Sequence, residues 1–397
     1  MKRTDFNFEY PEELVAQSPL AERDRARLLF WNGHKDLTQD RNFSELPAIL
    51  REKYPQSKFE SILLIVNDSK VFPARMRCKR KSGGRAEVFV LSTQAENDIP
   101  CLLRPQKKLR VGEVLFSEES ARPAFEIQSL EPPRVKNIFG VPLLELLGAD
   151  GEMPLPPYIE RDPEKIFDPS LAALDRLRYQ TVYAKDLGSA AAPTAGLHFT
   201  PNVLTECDQL GIKLAPVTLH VGLGTFQPVT TEVIEDHKMH NEICYIPSST
   251  MNLLIEHIEN SWPIVFVGTT SLRCVESILL KAEGLEISKA GGQSRLPLSA
   301  SWKLRQNEIK EKLNAVAENW HETNLFVRPT SENLIYRPLC GDGIITNFHQ
   351  PESTLAMLIA SLLGYSAWQN LYKHAVTEKY RLFSYGDSSL LLFPDAK

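Results

Sequence analysis

The amino-acid sequence predicts an α/β main domain, residues 1–71 and 152–397, interrupted by an inserted antiparallel β domain, residues 72–151. A buried strand, a short turn and a helix recur in that order along the chain, which is typical of α/β domains with mostly parallel strands, in an open sheet or a barrel. Between Val71 and Gly151, short apolar runs alternate with Gly, Pro and charged residues, and no convincing amphipathic helix precedes PLLELLG. Similar strands flank this segment, so we interpret it as an insertion.

The elements of the main domain follow from local patterns. SILLIVNDSKV and KLAPVTLHVGLG are apolar runs of strand length that end in polar or glycine residues. PIVFVGTTSLRCVESILL is a strand, a Gly-Thr-Thr-Ser turn and a helix, and GDGIITNFHQPESTLAMLIASLLG repeats this plan with Ser353 or Thr354 as N-cap. Thr200 and Pro201 predict the start of another helix, and Gly211 follows its end.

The two remaining regions have other patterns. In the predicted insertion, the runs AEVFVLS, IPCLLR, EVLFS and AFEIQSL have the length and composition of antiparallel strands. Residues 281–321 contain a Gly/Ser-rich loop, KAGGQSR, and a polar helix, KLRQNEIKEKLNAVAEN. We expect this second stretch to form a surface excursion.

Composition excludes several classes of protein. The chain has 397 residues, 43% hydrophobic and 24% charged, which suits two or three globular domains and excludes a disordered chain. The six cysteines are widely spaced, so we expect reduced thiols in the core. The N-terminal MKRTDFNFEY lacks the apolar stretch of a signal peptide, and LAMLIASLLG is about half the length of a membrane span. We expect a cytoplasmic protein with no membrane contact.

Four loops at predicted strand ends concentrate polar residues. They read AAPTAGLHFT, LHVGLGTFQPV, VGTTSLR and ITNFHQPEST. In α/β sheets, ligands bind at the carboxyl ends of the strands, so these loops predict a site for a small polar substrate. Five of the nine histidines lie in or near the loops, namely His198, His220, His237, His240 and His349.

Single features of these loops leave alternatives open. A lone histidine at a strand end is more often structural than catalytic. His237 and His240 are three residues apart and suit a metal, but the sequence specifies no third ligand. The Gly-Thr-Thr-Ser turn is either an anion site at a helix N-terminus or a simple helix cap, and Arg273 one turn later favours the anion.

Taken together, nine sequence blocks resemble one family. The blocks are TDFNFEYPEELVAQSPLAERDRARLL, NDSKVFPARM, MPLPPYIER, YQTVYAKDLGSAAAPTAGLHFT, VTLHVGLGTFQPV, IEDHKMHNE, VGTTSLRCVES, TNFHQPESTLAMLIASLLG and YRLFSYGDSSLLL. In this order they are similar to the S-adenosylmethionine:tRNA ribosyltransferase-isomerase family of queuosine biosynthesis. The resemblance implies a barrel-like α/β domain with an inserted closed antiparallel β-barrel.

The resemblance also implies a reaction. Members of the family transfer and isomerise the ribosyl part of S-adenosylmethionine onto 7-aminomethyl-7-deazaguanine in the tRNA anticodon. Epoxyqueuosine-tRNA forms, and adenine and methionine leave. S-adenosylmethionine is a consumed substrate, and neither a cofactor nor a metal is implied. We expect a monomer with no obligatory protein partner.

From the family chemistry we assign roles to residue types. A base near the ribose C5′ carbon, a donor to the departing adenine and an anchor for the methionine carboxylate are required. His198, His220 and His349 are candidates for acid/base work, and Glu235 and Asp387 for facing the sulfonium or the substrate amine. The carboxylate anchor is assigned to Thr269, Thr270 and Arg273. Further substrate-binding candidates are Thr194, Gly196, Gly222, Gly224, Thr225, Asn347 and Tyr385.

Charge distribution points to the nucleic-acid partner. The whole chain has a net charge of -5, but Lys70–Arg110 holds 11 Lys and Arg against three acidic residues. We expect the inserted domain to contact the tRNA backbone. The residues assigned to this contact are Arg75, Arg80, Lys81, Lys107 and Lys108. The alternative is a solvated charged face on an ordinary β domain.

The sequence departs from the family at two places and leaves two other functions open. Thr330 stands where the family has Gly, and the segment between Gly284 and Thr323 is longer than usual. Thr330 therefore predicts a different loop path. The alternatives are a metal-dependent hydrolase on an α/β barrel, built on the histidines, and a tRNA-binding module without activity.

Overall fold

The computed structural model describes residues 1–394 except residues 94, 162–168, 223–228, 288–291, 293–296 and 333. The strands in chain order are β1 Arg27–Asn32, β2 Leu37–Asn42, β3 Ile62–Asn67, β4 Ser69–Val71, β5 Arg75–Arg80, β6 Arg85–Val90, β7 Ile99–Arg104, β8 Val114–Ser117, β9 Pro123–Leu130, β10 Pro133–Asn137, β11 Asp186–Ser189, β12 Ile212–His220, β13 Glu242–Tyr245, β14 Ile264–Val267, β15 His321–Thr323, β16 Gly343–Asn347 and β17 Ser388–Leu392. The α-helices are α1 Leu46–Lys53, α2 Leu143–Asp150, α3 Pro169–Arg178, α4 Pro201–Gln209, α5 Ser248–Asn260, α6 Thr269–Ala282, α7 Leu298–Val316, α8 Thr354–Leu363 and α9 Tyr365–Thr377.

The main sheet has nine strands in the order β15-β13-β12-β3-β14-β16-β17-β1-β2. Its centre, β12, β3, β14 and β16, is parallel, while β17 runs antiparallel to β16 and parallel to β1. The α/β class is confirmed. Of the two arrangements that the strand pattern left open, the structure has the open sheet, whose order ends at β15 and β2.

Helices cover both faces of this sheet. In β3 the side chains alternate between two cores: Leu63 and Ile65 join one, and Ile62, Leu64 and Val66 join the other. The first core contains the apolar sides of α5 to α9, and the second contains those of α1 and α4. Burial on both faces explains why β3 is an unbroken apolar run.

The inserted segment forms a closed antiparallel barrel with strand order β10-β7-β6-β5-β8-β9. The barrel fills its interior with its own core, which includes Met76, Val88 and Phe125. The closed barrel that the resemblance implied is therefore confirmed, while the domain boundaries at residues 72 and 151 stay a prediction. Strand β5 was not predicted, because its sequence RMRCKR contains no apolar run; its alternation of buried Met76 and Cys78 with charged side chains is nevertheless typical of a strand with one buried face.

The predicted helix caps are in place. The Thr200 side chain accepts a hydrogen bond from the Val203 amide at 3.3 Å, and Ser353 accepts one from Ala356 at 3.1 Å. All six cysteines are free and buried, as expected. In the described part of the chain, no helix is long and apolar enough to span a membrane.

The surface excursion expected at residues 281–321 contains the predicted polar helix, which is α7, and this helix packs against the main domain. Most of KAGGQSR lies outside the described residues, but α7 buries Trp302, Ile309 and Leu313 in the main core. The Thr330 hydroxyl lies 3.4 Å from the carbonyl oxygen of Gly292, within this segment. The additional residues therefore pack onto the main domain at the place where the sequence departs from the family.

Candidate active site

A cleft of about 830 Å³ including its open mouth lies at the edge of the sheet where β14 and β16 end. Three of the four polar loops meet there, because the carboxyl ends of parallel neighbours lie at the same sheet edge. The predicted site residues that line it are Thr194, Thr269, Thr270, Arg273, Asn347 and His349. The fourth loop reaches the cleft with Val221, and its residues 223–228 lie outside the described chain.

One wall of the cleft is the N-terminus of α6. Gly268 precedes the helix with a φ of 92°, a conformation that favours glycine, and its amide donates to the Ile345 carbonyl at 2.8 Å. Thr269 and Thr270 begin the helix and line the cleft. Among described residues, the buried Thr270 Oγ1 has no hydrogen-bond partner. A helix N-terminus with a spare hydroxyl suits an anionic ligand group.

Arg273 is largely committed to the protein itself. Its Nη1 lies 2.5 Å from Glu242 Oε2, its Nε donates to the Leu325 carbonyl, and both charged side chains are 4% exposed. Nη2 is buried and has no partner in the described part of the chain. Because Glu242 neutralises the guanidinium, Arg273 can offer a ligand one hydrogen bond rather than a free positive charge.

Asn347 lies where β16 ends and joins the cleft to the residues behind it. Its Nδ2 donates to the Phe383 carbonyl at 3.0 Å and lies 3.3 Å from His198 Nε2. Its Oδ1 is buried without a partner among the described residues. A buried acceptor that lacks a donor is costly, so this oxygen is suited to receive a hydrogen bond from a substrate.

His349 is the one predicted catalytic histidine on the cleft wall. Its Nε2 lies 2.9 Å from Thr346 Oγ1, and its amide donates to the Tyr372 hydroxyl. Burial disfavours the imidazolium and lowers the pKa of His349 to about 3. His349 is therefore neutral at pH 7, and its ring is a weaker base than an exposed imidazole.

The structure places His198 behind the cleft rather than on its wall. The ring is 5% exposed and lines a second pocket with Arg23, Arg178 and Arg381. Burial, followed by repulsion from Arg381 and Arg23, lowers the pKa of His198 to about 3. A neutral ring fits its surroundings, since Nε2 faces the Asn347 amide.

His220 lies at a separate place, at the end of β12. Its Nδ1 is 2.7 Å from Ser69 Oγ, and the ring stacks on Trp320 with centroids 5.3 Å apart. A Cβ on Gly188 would come within 2.7 Å of the ring, so glycine is required there. Burial lowers the pKa of His220. His220 does not line the cleft in the described part of the structure.

The predicted acidic residues are also away from the cleft. Glu235 is exposed and pairs with the α-amino group of Met1 at 3.2 Å. Asp387 is buried and accepts hydrogen bonds from the amides of Arg27 and Arg381. Burial raises the pKa of Asp387, and these amides oppose the rise. Both carboxyls have partners within the protein, and neither lines the cleft.

Other predicted binding residues do not line the cleft in the described part of the structure. A Cβ on Gly196 would lie 2.1 Å from the Tyr183 hydroxyl, which explains glycine there. The Gly222 amide donates to Glu242 Oε1 at 3.2 Å. Tyr385 lines the second pocket and donates to Asp175 at 3.4 Å. Gly224 and Thr225 lie outside the described residues.

Residue-by-residue reasoning missed part of the lining. Tyr158, Tyr179, Phe383 and Ser384 complete the cleft, and Tyr158 and Ser384 share a hydrogen bond of 2.6 Å. Three of these residues stand in the blocks MPLPPYIER and YRLFSYGDSSLLL. Those blocks carried the family resemblance, and this resemblance was the sequence signal that could have identified the additional lining residues.

A metal centre gains no support from the geometry. His237 packs against Phe326, and burial lowers its pKa. Among the described residues, no group of three His, Cys, Asp or Glu side chains is arranged to hold a metal ion.

The basic residues of the barrel divide into two groups. Arg75 pairs with Glu87 at 3.7 Å, and Arg80 forms a two-point ion pair with Glu113. An exposed group, which we call the basic end, makes no ion pair with any described residue. Its members are Lys81, Arg85, Arg104, Lys107, Lys108 and Arg110.

Sheet register places the basic end far from the main domain. The pairing of Glu87 with Arg104 puts the β5–β6 turn and the segment after β7 at the same end of the barrel. Arg75, at the other end of β5, bridges to Glu152 beside the main domain. Six strand residues separate these ends by roughly 20 Å. With 13 Lys and Arg against 10 Asp and Glu in residues 72–151, the positive charge is a property of this end rather than of the whole barrel.

Comparison with known proteins agrees with the sequence blocks. The family profile described as Queuosine biosynthesis protein matches residues 3–391. A protein named S-adenosylmethionine:tRNA ribosyltransferase-isomerase from Nitrosomonas eutropha is 35% identical over 98% of both chains. A protein of the same name from Staphylococcus haemolyticus is 37% identical over 99% of this chain and all of its own.

A solved structure is also similar. The crystal structure of S-adenosylmethionine tRNA ribosyltransferase from Thermotoga maritima is 24% identical, covers 97% of this chain and 99% of its own, and has a TM-score of 0.46. The profile match and the full-length relatives decide the family. This chain belongs to the S-adenosylmethionine:tRNA ribosyltransferase-isomerase family of queuosine biosynthesis proteins.

Proposed function

We propose that this protein transfers and isomerises the ribosyl part of S-adenosylmethionine onto 7-aminomethyl-7-deazaguanine in the tRNA anticodon. The products are epoxyqueuosine-tRNA, adenine and methionine, and S-adenosylmethionine is consumed. One observation carries the proposal: the cleft of a full-length family member gathers Thr270, Arg273 and Asn347, each with a buried polar atom that lacks a partner among the described residues. Such atoms suit a polar substrate.

The chemistry requires a base at the ribose C5′ carbon. The sulfonium acidifies the C5′ protons, and removal of one starts elimination, ring opening and loss of adenine. The aminomethyl nitrogen then attacks the freed electrophile, and epoxide closure expels methionine. We assign the base to His349 on position, because it lines the cleft and His198 and His220 do not; burial keeps its ring neutral but also weakens it as a base.

The remaining roles follow from position. The N-terminus of α6 with Thr269 and Thr270 is proposed to hold the methionine carboxylate. Arg273 supports this anchor through Nη2 alone, since Glu242 occupies Nη1. Asn347 Oδ1 is proposed to accept a hydrogen bond from the substrate.

The basic end of the barrel is proposed to contact the tRNA backbone. Exposed Lys and Arg side chains without carboxylate partners displace counterions from phosphates at little structural cost. Arg75 and Arg80, which already have carboxylate partners, are not part of this proposed surface. With tRNA as substrate, we propose a cytoplasmic monomer that requires no further cofactor.

The proposal is tested by incubating the full-length protein with S-adenosylmethionine and tRNA that carries the aminomethyl-deazaguanine. Adenine release and the corresponding mass increase of the tRNA are expected together. Absence of both on a competent tRNA would overturn the function.

The assignment of the base is tested separately with His349→Ala, His198→Ala and His220→Ala. We expect the largest loss of adenine release for His349→Ala. Near wild-type turnover of this variant would exclude His349 as the base.

A further inference from the structure

A second pocket of about 300 Å³ lies directly behind the cleft, and we call it the arginine pocket. Ser384 lines both spaces, and the contact between Asn347 and His198 separates them. The residues that define the arginine pocket are Arg23, Arg178, His198, Arg381, Ser384 and Tyr385. Its position places any ligand there within reach of a molecule bound in the cleft.

Three guanidinium groups give the pocket a concentrated positive charge. Arg23 donates to the carbonyls of Gln180 and Leu197, and Arg178 donates to those of Leu20 and Ala21. Arg381 donates to the Ser18 carbonyl. These contacts fix the side chains but supply no negative charge, and no carboxylate is among the lining residues that the structure describes.

Several other partly or fully buried arginines have carboxylate partners instead, although Arg51 binds backbone carbonyls alone. Arg273 pairs with Glu242, Arg161 pairs with Asp175 at 2.6 Å, and Arg80 pairs with Glu113. The arginine pocket differs from both cases, because it gathers three guanidinium groups and no carboxylate is among its described lining residues. Bringing like charges together away from water is unfavourable unless an anion compensates them.

Two donors of the pocket arginines are unused. Arg381 Nη1 and Arg178 Nε are buried and have no acceptor among the described residues. Burial lowers the pKa of Arg23 and of Arg381, and the charge of Arg178 lowers that of Arg23 further. Asp387, which does not line the pocket, opposes the shift at Arg381 but leaves three guanidinium groups facing one carboxylate. The unused donors and this excess of positive charge both indicate an anionic ligand.

We propose that the arginine pocket binds a backbone phosphate of the tRNA, next to the nucleotide whose base enters the cleft. This inference rests on the proposed function. A phosphate is joined to its base through one sugar, which matches a pocket that adjoins the cleft. The methionine carboxylate of S-adenosylmethionine is the other anion of the reaction, and it has a proposed anchor at the N-terminus of α6.

The first test changes the ligand and leaves the protein intact. Anticodon stem-loop RNAs are made with one neutral methylphosphonate, either beside the reacting nucleotide or in the distal stem, and their binding to the full-length protein is measured. We expect at least about tenfold weaker binding for a methylphosphonate beside the reacting nucleotide. Equal affinities for the two RNAs would overturn the proposal.

The second test changes the pocket. Arg178→Met and Arg381→Met should weaken binding of the unmodified RNA and remove most of the difference between the two methylphosphonate RNAs. Arg178→Lys, which keeps the charge, should restore part of it. Arg51→Met is the matched control, because Arg51 also binds only backbone carbonyls, at Leu210, Phe59 and Gly211, and lies outside both pockets.

The same variants distinguish a phosphate from a carboxylate. S-adenosylmethionine binding, measured without RNA, should be unchanged in Arg178→Met and Arg381→Met. Loss of S-adenosylmethionine binding with unchanged RNA binding would assign the pocket to the carboxylate and overturn the proposal. Adenine release by the wild-type protein is scored independently, so failure of the phosphate site leaves the test of the proposed function intact.

Discussion

The cleft and the basic end of the barrel differ in how their charged side chains are placed: the cleft contains a buried ion pair, and the basic end carries exposed cations. In the cleft, Arg273 and Glu242 are 4% exposed and lie 2.5 Å apart, so each charge is neutralised by a buried partner of opposite sign. At the basic end, six cationic side chains are exposed and make no ion pair with a described residue. Water screens the second group but not the first. Single substitutions should therefore be severe in the main domain and mild on the barrel.

The largest effect is expected at the buried ion pair. Arg273→Met leaves the Glu242 carboxylate buried without its cation, which should cost about 3–5 kcal/mol of stability. Thermal unfolding of the variant measures this loss. The double variant Arg273→Met/Glu242→Leu should be more stable than Arg273→Met alone.

An exposed ion pair provides the control for this prediction. Lys310 and Glu259 are 2.9 Å apart with about a third of each side chain exposed, and Glu259→Gln should cost no more than about 1 kcal/mol. Equal losses for Arg273→Met and Glu259→Gln would contradict the contrast between buried and exposed charge.

A pH effect of intermediate size is expected at Asp68, where β3 ends. Burial raises its pKa to about 6, although Thr218 donates a hydrogen bond to the carboxylate at 2.7 Å. Between pH 4 and 6 the folded state binds this proton more tightly than the unfolded state, so stability falls as pH rises, by up to about 3 kcal/mol. Asp68→Asn should remove this fall in unfolding measurements across that range.

An exposed carboxyl on the barrel provides the control for this pH effect. Asp98 is an exposed carboxyl that pairs with Arg134 at 3.0 Å. Asp98→Asn should leave the decline in stability between pH 4 and 6 in place. A decline that persists in Asp68→Asn would show that another group titrates in this window.

A smaller effect on turnover is expected at the α6 N-terminus. Thr270→Val removes a hydroxyl with no partner in the described protein, so stability should change little while turnover falls about tenfold, the equivalent of one hydrogen bond to substrate. Thr250→Val is the matched substitution, since the Thr250 hydroxyl donates to the Pro216 carbonyl. It should lower stability and leave turnover per folded molecule unchanged. The reverse pattern would place the ligand elsewhere.

The smallest effect per residue is expected at the basic end. Each of Lys81→Glu, Lys107→Glu and Lys108→Glu should weaken tRNA binding by no more than about 1 kcal/mol. The triple variant should also flatten the salt dependence of binding, by about 0.7–0.9 in log–log slope for each lost phosphate contact. A triple reversal of the exposed main-domain residues Lys213, Lys303 and Lys373 controls for net charge. Equal slopes in both triple variants would remove the basic end from the tRNA surface.

Sequence reasoning located loops better than side-chain roles. Residues in the turn before α6 and at the end of β16 come together as predicted, because sheet topology brings the carboxyl ends of parallel strands to one edge. His198 and His220 belong to predicted loops yet lie off the cleft wall, since a change of rotamer or backbone direction over a few residues turns a side chain to another space. No local sequence pattern specifies the direction in which such a side chain points.

The arginine pocket was likewise not predictable from the sequence. Arg23 and Arg381 stand in two quoted blocks at opposite ends of the chain, and nothing in either block indicates that they share a pocket. Their meeting requires β1 and β17 to pair in parallel, which is a long-range contact. Likewise, the count of 11 basic residues in Lys70–Arg110 omitted Glu113, which lies beyond the counted segment and neutralises Arg80.

The sequence by itself determined the family, the α/β class, the inserted β segment and the strand-end loops, because each is written in local periodicity or in contiguous motifs. Tertiary structure alone decided which polar atoms stay without partners, which charges are neutralised and which histidine faces the cleft. Those properties depend on distances between residues far apart in the chain, such as Arg273 to Glu242 and Asn347 to His198. Burial then sets their energies, because charges interact more strongly where water is excluded.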